Sequence, residues 1–458
     1  MVFKNADIYT MDHKNPHIAD GYIRTENGVI TAVGKMKDYQ KKQDETERDM
    51  KGRILMPGMM TTHSHFYAQF VRGIMADLKP VTNWPQTLTR LWWRLDEKLT
   101  PEQNYYSAML GMIEGVKAGT TLYFDHQASP GAIDGSLDLL EKAARQVGVR
   151  AALAYEGTDR GGSEGAKAGI HENVRFIKKM KQNTDDTVRG MFGLHAIYSV
   201  GEETLEACAK EGAAINAGFH IQIAEGYEDV AECYRRYDES VVSRLLRAGI
   251  LNDHSIAAHG VFVTEEEMEL LRDCGVTVAY NAQSNTNSGV GIVPVVPMLN
   301  KGVHVALGGD GYSADMFREL SVACMLQRLK SGRPCEFTTE QTYQVAFDNP
   351  GRLAEKIFGR KTGVLKEGAY ADFIAVDYDA PTPICADNFL GHMLAAFSGK
   401  VAMTVINGKV VCENGKCTFV DEEKIFAECR KQAEILWKSI GQEKKIGLDR
   451  RMKKEIQP

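Results

Sequence analysis

Two features of the sequence predict an α/β fold. Eight apolar runs of strand length alternate with helical patterns through the middle of the chain, and short strands with tight turns occupy both ends. Eight parallel strands with crossover helices form a TIM (β/α)8 barrel. The two ends together predict a small β-sandwich domain. A doubly wound open sheet is the alternative, but no Gly-x-Gly-x-x-Gly follows any of the strands, so the usual reason to prefer it is missing.

The β domain is predicted from two separate segments. Residues 1–55 read as short strands, with Asn27-Gly28 as a hairpin turn. A similar pattern of strands and turns returns over residues 361–420, with Asn414-Gly415 as a further turn. In the long middle part, strand patterns alternate with helical patterns instead. We therefore expect both termini to build one small domain.

The barrel is predicted over residues 56–360, and its first strand begins just before that boundary. The strand candidates are residues 54–61, 121–124, 150–155, 190–195, 218–223, 255–259, 277–280 and 304–307. The helical patterns that separate most of them cover residues 101–118, 136–147, 171–182, 202–210 and 265–274. This alternation is typical of repeated strand–helix units.

Residues 421–458 are predicted to form a C-terminal helix and tail. Apolar residues recur at helical spacing over residues 421–439, and we expect this amphipathic helix to pack on the domain rather than to bind a partner. The basic cluster that follows is short and mixed with acids, which favours a solvated tail.

Composition limits the classes of function. The 458 residues are 43% hydrophobic and can bury a large core, while a net charge of −6 gives no reason to expect nucleic acid or an anionic membrane. Nine scattered cysteines without a Cys-x-x-Cys pair indicate reduced thiols. No signal-like or membrane-spanning apolar run is visible. We therefore expect a cytoplasmic homo-oligomer that acts on a small molecule.

A His-x-His pair ends the first barrel strand. His63 and His65 follow the apolar run at residues 54–60, and side chains two residues apart on extended backbone point to the same side. Two neutral imidazoles so placed can hold one metal ion, and imidazole suits zinc, iron or nickel. The alternative is two unrelated polar residues in a loop, and the pair alone does not decide between them.

Further polar residues stand at the carboxyl ends of the other strands, where a TIM barrel builds its active site. Six of the twelve histidines lie at or near this predicted mouth: His63, His65, His126, His195, His220 and His259. Carboxylates and amides join them: Asp125, Gln127, Glu156, Gln222, Glu225, Asn281, Asn285 and Asp310. A single histidine at a strand end is usually a capping or core residue. One shared site explains this number of polar residues at strand ends better than independent capping or core roles do.

Several motifs resemble the amidohydrolase superfamily, in the branch of guanine deaminase and atrazine chlorohydrolase. They are Pro57-Gly58-x4-His63-x-His65, Ala258-His259-Gly260, Ser284-Asn285-x3-Gly289-x-Gly291, Leu307-Gly308-Gly309-Asp310-Gly311 and the stretch from Gly363 to Phe373. Within that branch, Trp92-Trp93-Arg94-Leu95-Asp96 and Phe124-Asp125-His126-Gln127 look most like the SsnA aminohydrolases. That resemblance implies a context of purine and selenium-dependent hydroxylase metabolism.

The resemblance also implies residue roles. His63, His65 and Asp310 would hold one divalent metal, with zinc expected and iron or manganese as alternatives. His259 would hydrogen-bond the attacking water or the developing oxyanion, and Glu225 would protonate the ring nitrogen. Substrate-binding positions would be His126, Gln127, His195 and Asn285. A bridging lysine would mark a two-metal site, but His195 stands at its position on strand four, so one metal is expected.

The chain departs from the family at one ligand position. Where the family has His-x-x-Glu after strand five, this chain reads Gln222-Ile223-Ala224-Glu225. Gln222 could ligate through its carboxamide oxygen, which is a weaker ligand than imidazole. His220, on the same face of the strand, could replace it, or the metal site could be weakened. We favour Gln222 at the ligand position with reduced metal affinity.

These residues predict an enzyme that hydrolyses non-peptide C–N bonds in a nitrogen heterocycle, most simply a purine-like aminohydrolase. The same constellation also serves ring opening of a cyclic amide or amidine. A non-catalytic binding protein on the same fold is the alternative from another class, and intact Glu225, His259 and Asp310 argue against it. The absence of His-Glu-x-x-His and Pro-Cys-x-x-Cys argues against a zinc protease and a cytidine-deaminase-type enzyme.

Overall fold

The structure is a computed structural model that describes residues 1–75 and 78–441. Its strands are β1 (Val2–Tyr9), β2 (His17–Glu26), β3 (Val29–Lys35), β4 (Glu47–Asp49), β5 (Ile54–Pro57), β6 (Met59–Ser64), β7 (Thr120–Gln127), β8 (Arg150–Tyr155), β9 (Val188–Gly190), β10 (Phe192–Leu194), β11 (Phe219–Ile223), β12 (Ile256–His259), β13 (Thr277–Tyr280), β14 (His304–Leu307), β15 (Phe373–Val376), β16 (Val401–Ile406), β17 (Lys409–Glu413) and β18 (Lys416–Cys417).

The α-helices are α1 (Trp84–Thr87), α2 (Trp93–Asp96), α3 (Pro101–Lys117), α4 (Ser136–Val147), α5 (Gly162–Gln182), α6 (Glu202–Ala214), α7 (Tyr227–Tyr237), α8 (Val241–Arg247), α9 (Glu265–Cys274), α10 (Ala282–Asn287), α11 (Val295–Asn300), α12 (Met316–Ser331), α13 (Thr339–Tyr343), α14 (Asn349–Phe358), α15 (Phe389–Ala396) and α16 (Glu422–Gly441). Short 3-10 turns cover Met36–Asp38, Phe66–Val71, Asp159–Gly161 and Ile197–Ser199, and π-helical turns cover Leu88–Trp92 and Gln344–Asp348.

Parallel strands form the centre of the molecule. One sheet has the order β6-β7-β8-β9 and a second has the order β10-β11-β12-β13-β14. Parallel bridges from Ser64 to Asp310 and from Gly157 to Leu194 link the two sheets. The run predicted as one strand at residues 190–195 is divided between β9 and β10. This α/β arrangement of parallel strands fits the predicted TIM barrel.

Strands from both ends of the chain share another sheet. Its order is β18-β17-β16-β15-β5-β1-β2-β3, with β4 paired to β1. The antiparallel pairing of β5 with β15 joins the N-terminal and C-terminal segments, with Ile54 opposite Val376 and Pro57 opposite Phe373. Both termini therefore contribute to one β unit, as their strand-and-turn patterns predicted.

The run predicted as one strand at residues 54–61 is divided at Pro57-Gly58. β5 belongs to the terminal sheet and β6 to the parallel sheet, so the chain changes sheets at this point. A Cβ atom on Gly58 would lie 2.2 Å from Cγ2 of Thr121, so only glycine lets the chain pass so close to β7. The close approach brings β6 beside β7 and sets the position of the residues that follow.

The helices pack through faces that the sequence pattern predicts. In α4, Leu137, Leu140 and Ala144 are buried at spacings of three and four residues, which is the period of one helix face. The helix ends at Gly148, whose φ of +89° is the left-handed conformation that terminates many helices.

The C-terminal helix α16 packs against the domain, as predicted. The indole Nε1 of Trp437 donates to the carbonyl of Phe70 over 2.7 Å, and the thiol of Cys429 donates to the carbonyl of Tyr106. The tail predicted beyond it lies outside the described residues. Neither α16 nor any other helix of the described ranges combines the length and the apolar character needed to cross a membrane.

A buried ion pair connects β8 to the segment before β15. Nε of Arg150 donates to Oδ2 of Asp372 over 2.6 Å, and neither side chain is exposed. The guanidinium also lies 3.6 Å from the ring centroid of Tyr370. Without Asp372, Arg150 would keep only Oδ1 of Asp186, at 3.8 Å, as a counter-charge, so the loss of this pair should be strongly destabilising.

Candidate active site

The first and last parallel strands meet where His63, His65 and Asp310 stand. The carbonyl of His63 accepts hydrogen bonds from the backbone N–H of Gly309 and of Asp310, over 2.9 and 3.0 Å. These bonds hold the turn after β14 against the end of β6. As a result, one possible ligand atom from each of His63, His65 and Asp310 lies within 4.8 Å of the others.

The ring of His65 has a fixed orientation. Its Nδ1 lies 2.6 Å from the carbonyl of His126, and since a carbonyl can only accept, Nδ1 carries the proton. Nε2 is left with its lone pair, 3.3 Å from Oδ1 of Asp310 and 3.2 Å from Nε2 of Gln222. A backbone carbonyl behind an imidazole is the usual support of a metal-binding histidine.

His63 supplies an unpartnered nitrogen to the same place. Its side chain is completely buried, its Nδ1 lies 2.8 Å from Nε2 of His220, and its Nε2 has no hydrogen-bond partner. Burial, followed by the neighbouring imidazoles, lowers the pKa of His63 well below its usual value, so the ring is neutral. A neutral, orphaned imidazole nitrogen near a carboxylate fits a divalent cation of the zinc class.

The carboxylate of Asp310 is held from both sides. Its Oδ1 accepts from the backbone N–H of Gly311 over 2.7 Å, and its Oδ2 accepts from the hydroxyl of Ser284. The backbone φ is +52° at Asp310 and +73° at His259, a left-handed conformation that non-glycine residues seldom adopt. Such strain at two strand ends is typical of a functional site.

Gln222 and His220 lie at different depths on β11. Gln222 is 7% exposed and lines the cavity beside His65, whereas His220 is completely buried. The ring of His220 stacks on that of His126 with centroids 4.5 Å apart, and its Nε2 faces His63. The side chain beside both His65 and the cavity is therefore Gln222.

Glu225 and His259 form a second pair at this mouth. Oε1 of Glu225 lies 3.7 Å from Nδ1 of His259 and has no hydrogen-bond partner among the described residues. Burial first, then the charges of Asp310 and Asp229, raise the pKa of Glu225 well above its usual value and so favour the protonated carboxyl.

The environment of His259 fixes its tautomer. Nδ1 accepts from the amide Nδ2 of Asn285 over 2.9 Å, so the ring proton is on Nε2, which has no partner. Burial lowers the pKa of His259 to about 4 and keeps the ring neutral. His259 therefore offers one N–H donor, while a possible ligand atom of the ring lies within 4.8 Å of Glu225 and Asp310.

Several of these side chains border one cavity. Its apolar and aromatic lining comprises Tyr67, Trp84, Leu88, Trp92, Trp93 and Tyr312. Its polar lining comprises His65, Asp96, Glu156, His195, Gln222, Glu225, Ser284 and Asp310. Flat aromatic walls with a few convergent polar groups suit a planar heterocyclic ligand.

Some predicted site residues lie outside this lining. His126, Gln127 and Asn285 are completely buried, and among the described residues they do not line the cavity. His126 supplies its carbonyl to His65, and Asn285 supplies its amide to His259.

Ser284 and the aromatic residues that line the cavity, the aromatic wall, were not predicted as site residues. The signals were present, because Ser284 precedes Asn285 in one motif and Trp92-Trp93 begins another. These motifs supported only the resemblance, since neither motif shows which side chain faces the cavity.

Comparison of the sequence with known proteins identifies the family of the chain. The sequence model described as the amidohydrolase family matches residues 54–411. The chain is 31% identical over 441 residues to a 5'-deoxyadenosine deaminase of Methanosarcina acetivorans, covering 95% of this chain and 98% of that protein. It is 32% identical over 435 residues to a 5-methylthioadenosine/S-adenosylhomocysteine deaminase of Bacillus cytotoxicus, covering 94% and 98%.

A solved structure with a similar fold is an adenosine deaminase from Xanthomonas campestris with bound zinc. It superimposes with a TM-score of 0.83 at 22% identity, over 95% of this chain and 98% of that chain. At this identity the likeness concerns the fold alone. The family match covers most of the chain and includes every strand end described above, and the chain therefore belongs to the amidohydrolase family.

Proposed function

We propose that this protein is a metal-dependent aminohydrolase that removes an exocyclic amino group from a purine-like ring. The observation that carries the proposal is the buried, unpartnered and protonated carboxyl of Glu225 beside His259 and Asp310. An amine is a poor leaving group until it is protonated, and this carboxyl is placed to supply the proton. The deaminase names of two relatives that align along most of the chain support the reaction class.

The proposal includes a closed (β/α)8 barrel over residues 56–360. The bridges that link the two parallel sheets support closure. We further propose that residues 1–55 and 361–420 form one β-sandwich domain, which the shared terminal sheet supports. The carboxyl ends of the parallel strands then meet at one mouth, as the site requires.

His63, His65 and Asp310 would hold one divalent cation, and Gln222 would offer its carboxamide oxygen as a weaker further ligand. Zinc is the expected ion, with iron or manganese as alternatives, and the zinc bound by the related fold supports this choice. When bound, such a cation supplies a Lewis acid that lowers the pKa of water towards ~7.

The protein's own residues would move the protons. Asp310 accepts a proton from the attacking water, and the water oxygen bonds to the ring carbon that carries the amino group. His259 donates its Nε2–H to the negative charge that develops. Glu225 delivers a proton to nitrogen, the C–N bond breaks, and ammonia leaves while the hydroxylated ring remains.

His195 and the aromatic wall would position the ring. Asn285 would act through His259 by fixing its tautomer. Substrate contacts by His126 and Gln127 stay predictions, as do the cytoplasmic location, the homo-oligomeric state and the metabolic context that the SsnA resemblance implies.

The experiment is an ammonia-release screen of the metal-loaded protein over purines, pterins, triazines and hydantoins. Release of ammonia from an aminopurine, with the ring intact by chromatography, supports the proposal. An opened ring would favour the cyclic amide or amidine hydrolase instead. Tight binding of a heterocycle without any turnover would favour the non-catalytic binding protein.

A further inference from the structure

Glu156 is a buried carboxyl that the proposed reaction does not use. It directly follows β8, is 3% exposed and lines the cavity. Its Oε1 lies 3.7 Å from Nε2 of His195 and 3.8 Å from Nδ1 of His126, both beyond hydrogen-bond range. Within residues 1–75 and 78–441 its side chain receives no hydrogen bond. Its carboxyl is therefore free to bind a ligand in the cavity.

The nearest cation of this wall is already engaged. Arg160 donates through both terminal nitrogens to Asp96, over 2.5 and 3.3 Å, and its guanidinium lies 4.9 Å from the ring centroid of Trp93. Arg160 is thus held by Asp96 and Trp93 and forms no hydrogen bond to Glu156. The carboxyl oxygens of Glu156 can therefore accept hydrogen bonds from a ligand in the cavity.

His195 adds a second acceptor beside it. The hydroxyl of Ser199 donates its only proton to the carbonyl of Ala196 over 2.9 Å, and the same oxygen lies 2.5 Å from Nδ1 of His195. With the Ser199 proton on that carbonyl, Nδ1 is the donor to Ser199. Because burial lowers the pKa of His195 well below its usual value, the ring is neutral and Nε2 keeps a lone pair. Glu156 and His195 present acceptors only 3.7 Å apart in the cavity wall.

This pair is close to the reacting groups. One possible ligand atom from each of Glu156, His65 and His126 lies within 4.8 Å of the others. A second cation at this place does not fit, because Nδ1 of His65 is bound to a carbonyl and its Nε2 faces Asp310 and Gln222. A neutral ligand with N–H donors fits two adjacent acceptors.

We propose that Glu156 and Nε2 of His195 bind an amino substituent of the ring other than the one that is hydrolysed, and so select diamino- over monoamino-heterocycles. This inference rests on the proposed function. A carboxyl oxygen accepts an N–H in either protonation state. A ring without the second amino group leaves a buried acceptor unpaired, which costs roughly a factor of ten to a hundred in selectivity.

The test compares adenine with 2,6-diaminopurine, as free bases and as ribosides, on the zinc-loaded protein. We expect kcat/KM for loss of the 6-amino group to be roughly tenfold or more higher for the diamino ring. Glu156→Leu should bring this ratio close to one, whereas Glu156→Gln, which keeps one acceptor, should retain part of it. Glu164→Leu is the matched control on an exposed part of α5 and should leave the ratio unchanged.

A readout without turnover accompanies the kinetics. Calorimetric titration of the same proteins with guanine and hypoxanthine, the two products, should show the same preference and the same response to Glu156→Leu. Metal content and thermal unfolding verify that each variant is folded. A parental ratio near one, or a ratio that Glu156→Leu leaves unchanged, overturns the inference even if both purines are deaminated.

Failure of the proposed function has a different signature. If neither purine releases ammonia while guanine binds better than hypoxanthine in a Glu156-dependent way, the recognition stands and the reaction is wrong. If neither guanine nor hypoxanthine binds to the zinc-loaded protein, both the inference about Glu156 and the assignment of a purine-like substrate are wrong.

Discussion

Replacing Glu225 by glutamine removes the proposed proton donor and little else. The side chain is 6% exposed, and within residues 1–75 and 78–441 it forms no hydrogen bond that the amide would lose. Glutamine has nearly the same shape, so metal binding and fold should persist. The control is Glu228→Gln, the same substitution at an exposed residue of α7.

The effect on turnover follows from the proton-transfer role. General acid–base groups contribute a factor of about 10²–10⁴. Because each factor of ten corresponds to about 1.4 kcal/mol, Glu225→Gln should raise the activation barrier by about 3–5 kcal/mol. The drop should appear in kcat, since the amide can still contact the ring nitrogen.

The same variant should change stability in a pH-dependent way in the metal-free protein. Burial raises the pKa of Glu225 in the folded state, while in the unfolded chain it is about 4.3. Between these two values the folded state holds a proton that the unfolded chain has lost. The free energy of unfolding of the parent therefore falls, relative to Glu225→Gln, by up to about 1.4 kcal/mol per pH unit as the pH rises.

The assays are steady-state ammonia release on the zinc-loaded protein and urea unfolding of the chelated protein between about pH 5 and pH 7. Metal analysis verifies equal loading of parent, variant and control. An unchanged kcat in Glu225→Gln would remove this residue from the mechanism. A stability difference that stays constant with pH would refute the raised pKa.

Four further outcomes follow from the geometry. Exhaustive chelation should abolish activity and one zinc per chain should restore it, so metal analysis that finds two ions at full occupancy contradicts the site. Gln222→His should tighten metal binding, since imidazole is the better ligand; lower activity at unchanged metal content would instead assign Gln222 to substrate recognition. His220→Ala should weaken metal affinity by roughly 10–100-fold if His220 supports His63 through its Nε2, whereas loss of all stoichiometric binding would identify His220 as a ligand. Asp372→Asn should lower the free energy of unfolding by about 3–5 kcal/mol in urea titrations, since the fully buried Arg150 would keep only the more distant Asp186 as a counter-charge; a loss below about 1 kcal/mol, as for exposed pairs, would contradict this.

The sequence by itself determined the class of fold and the gathering of polar residues at one mouth. Period-two and helical patterns are local, so they revealed the parallel strands, the mixed origin of the terminal sheet and the C-terminal helix. The prediction of an amidohydrolase-family hydrolase of non-peptide C–N bonds is confirmed by the family match and the deaminase relatives. His63, His65, Glu225, His259 and Asp310 come together because parallel strands end at one edge.

Only the tertiary structure decided which of these side chains line the cavity and which lie behind it. His220 and Gln222 share a face of β11, but two residues of a strand rise about 6.6 Å, so one lies behind His63 and the other lines the cavity. The change of sheet at Pro57-Gly58 depends on contact with β7, which lies far along the chain. Long-range packing also decides which of the site residues are buried, which tautomer His195 adopts and that the carboxyl of Glu156 has no hydrogen-bond partner. A local sequence pattern does not encode such contacts.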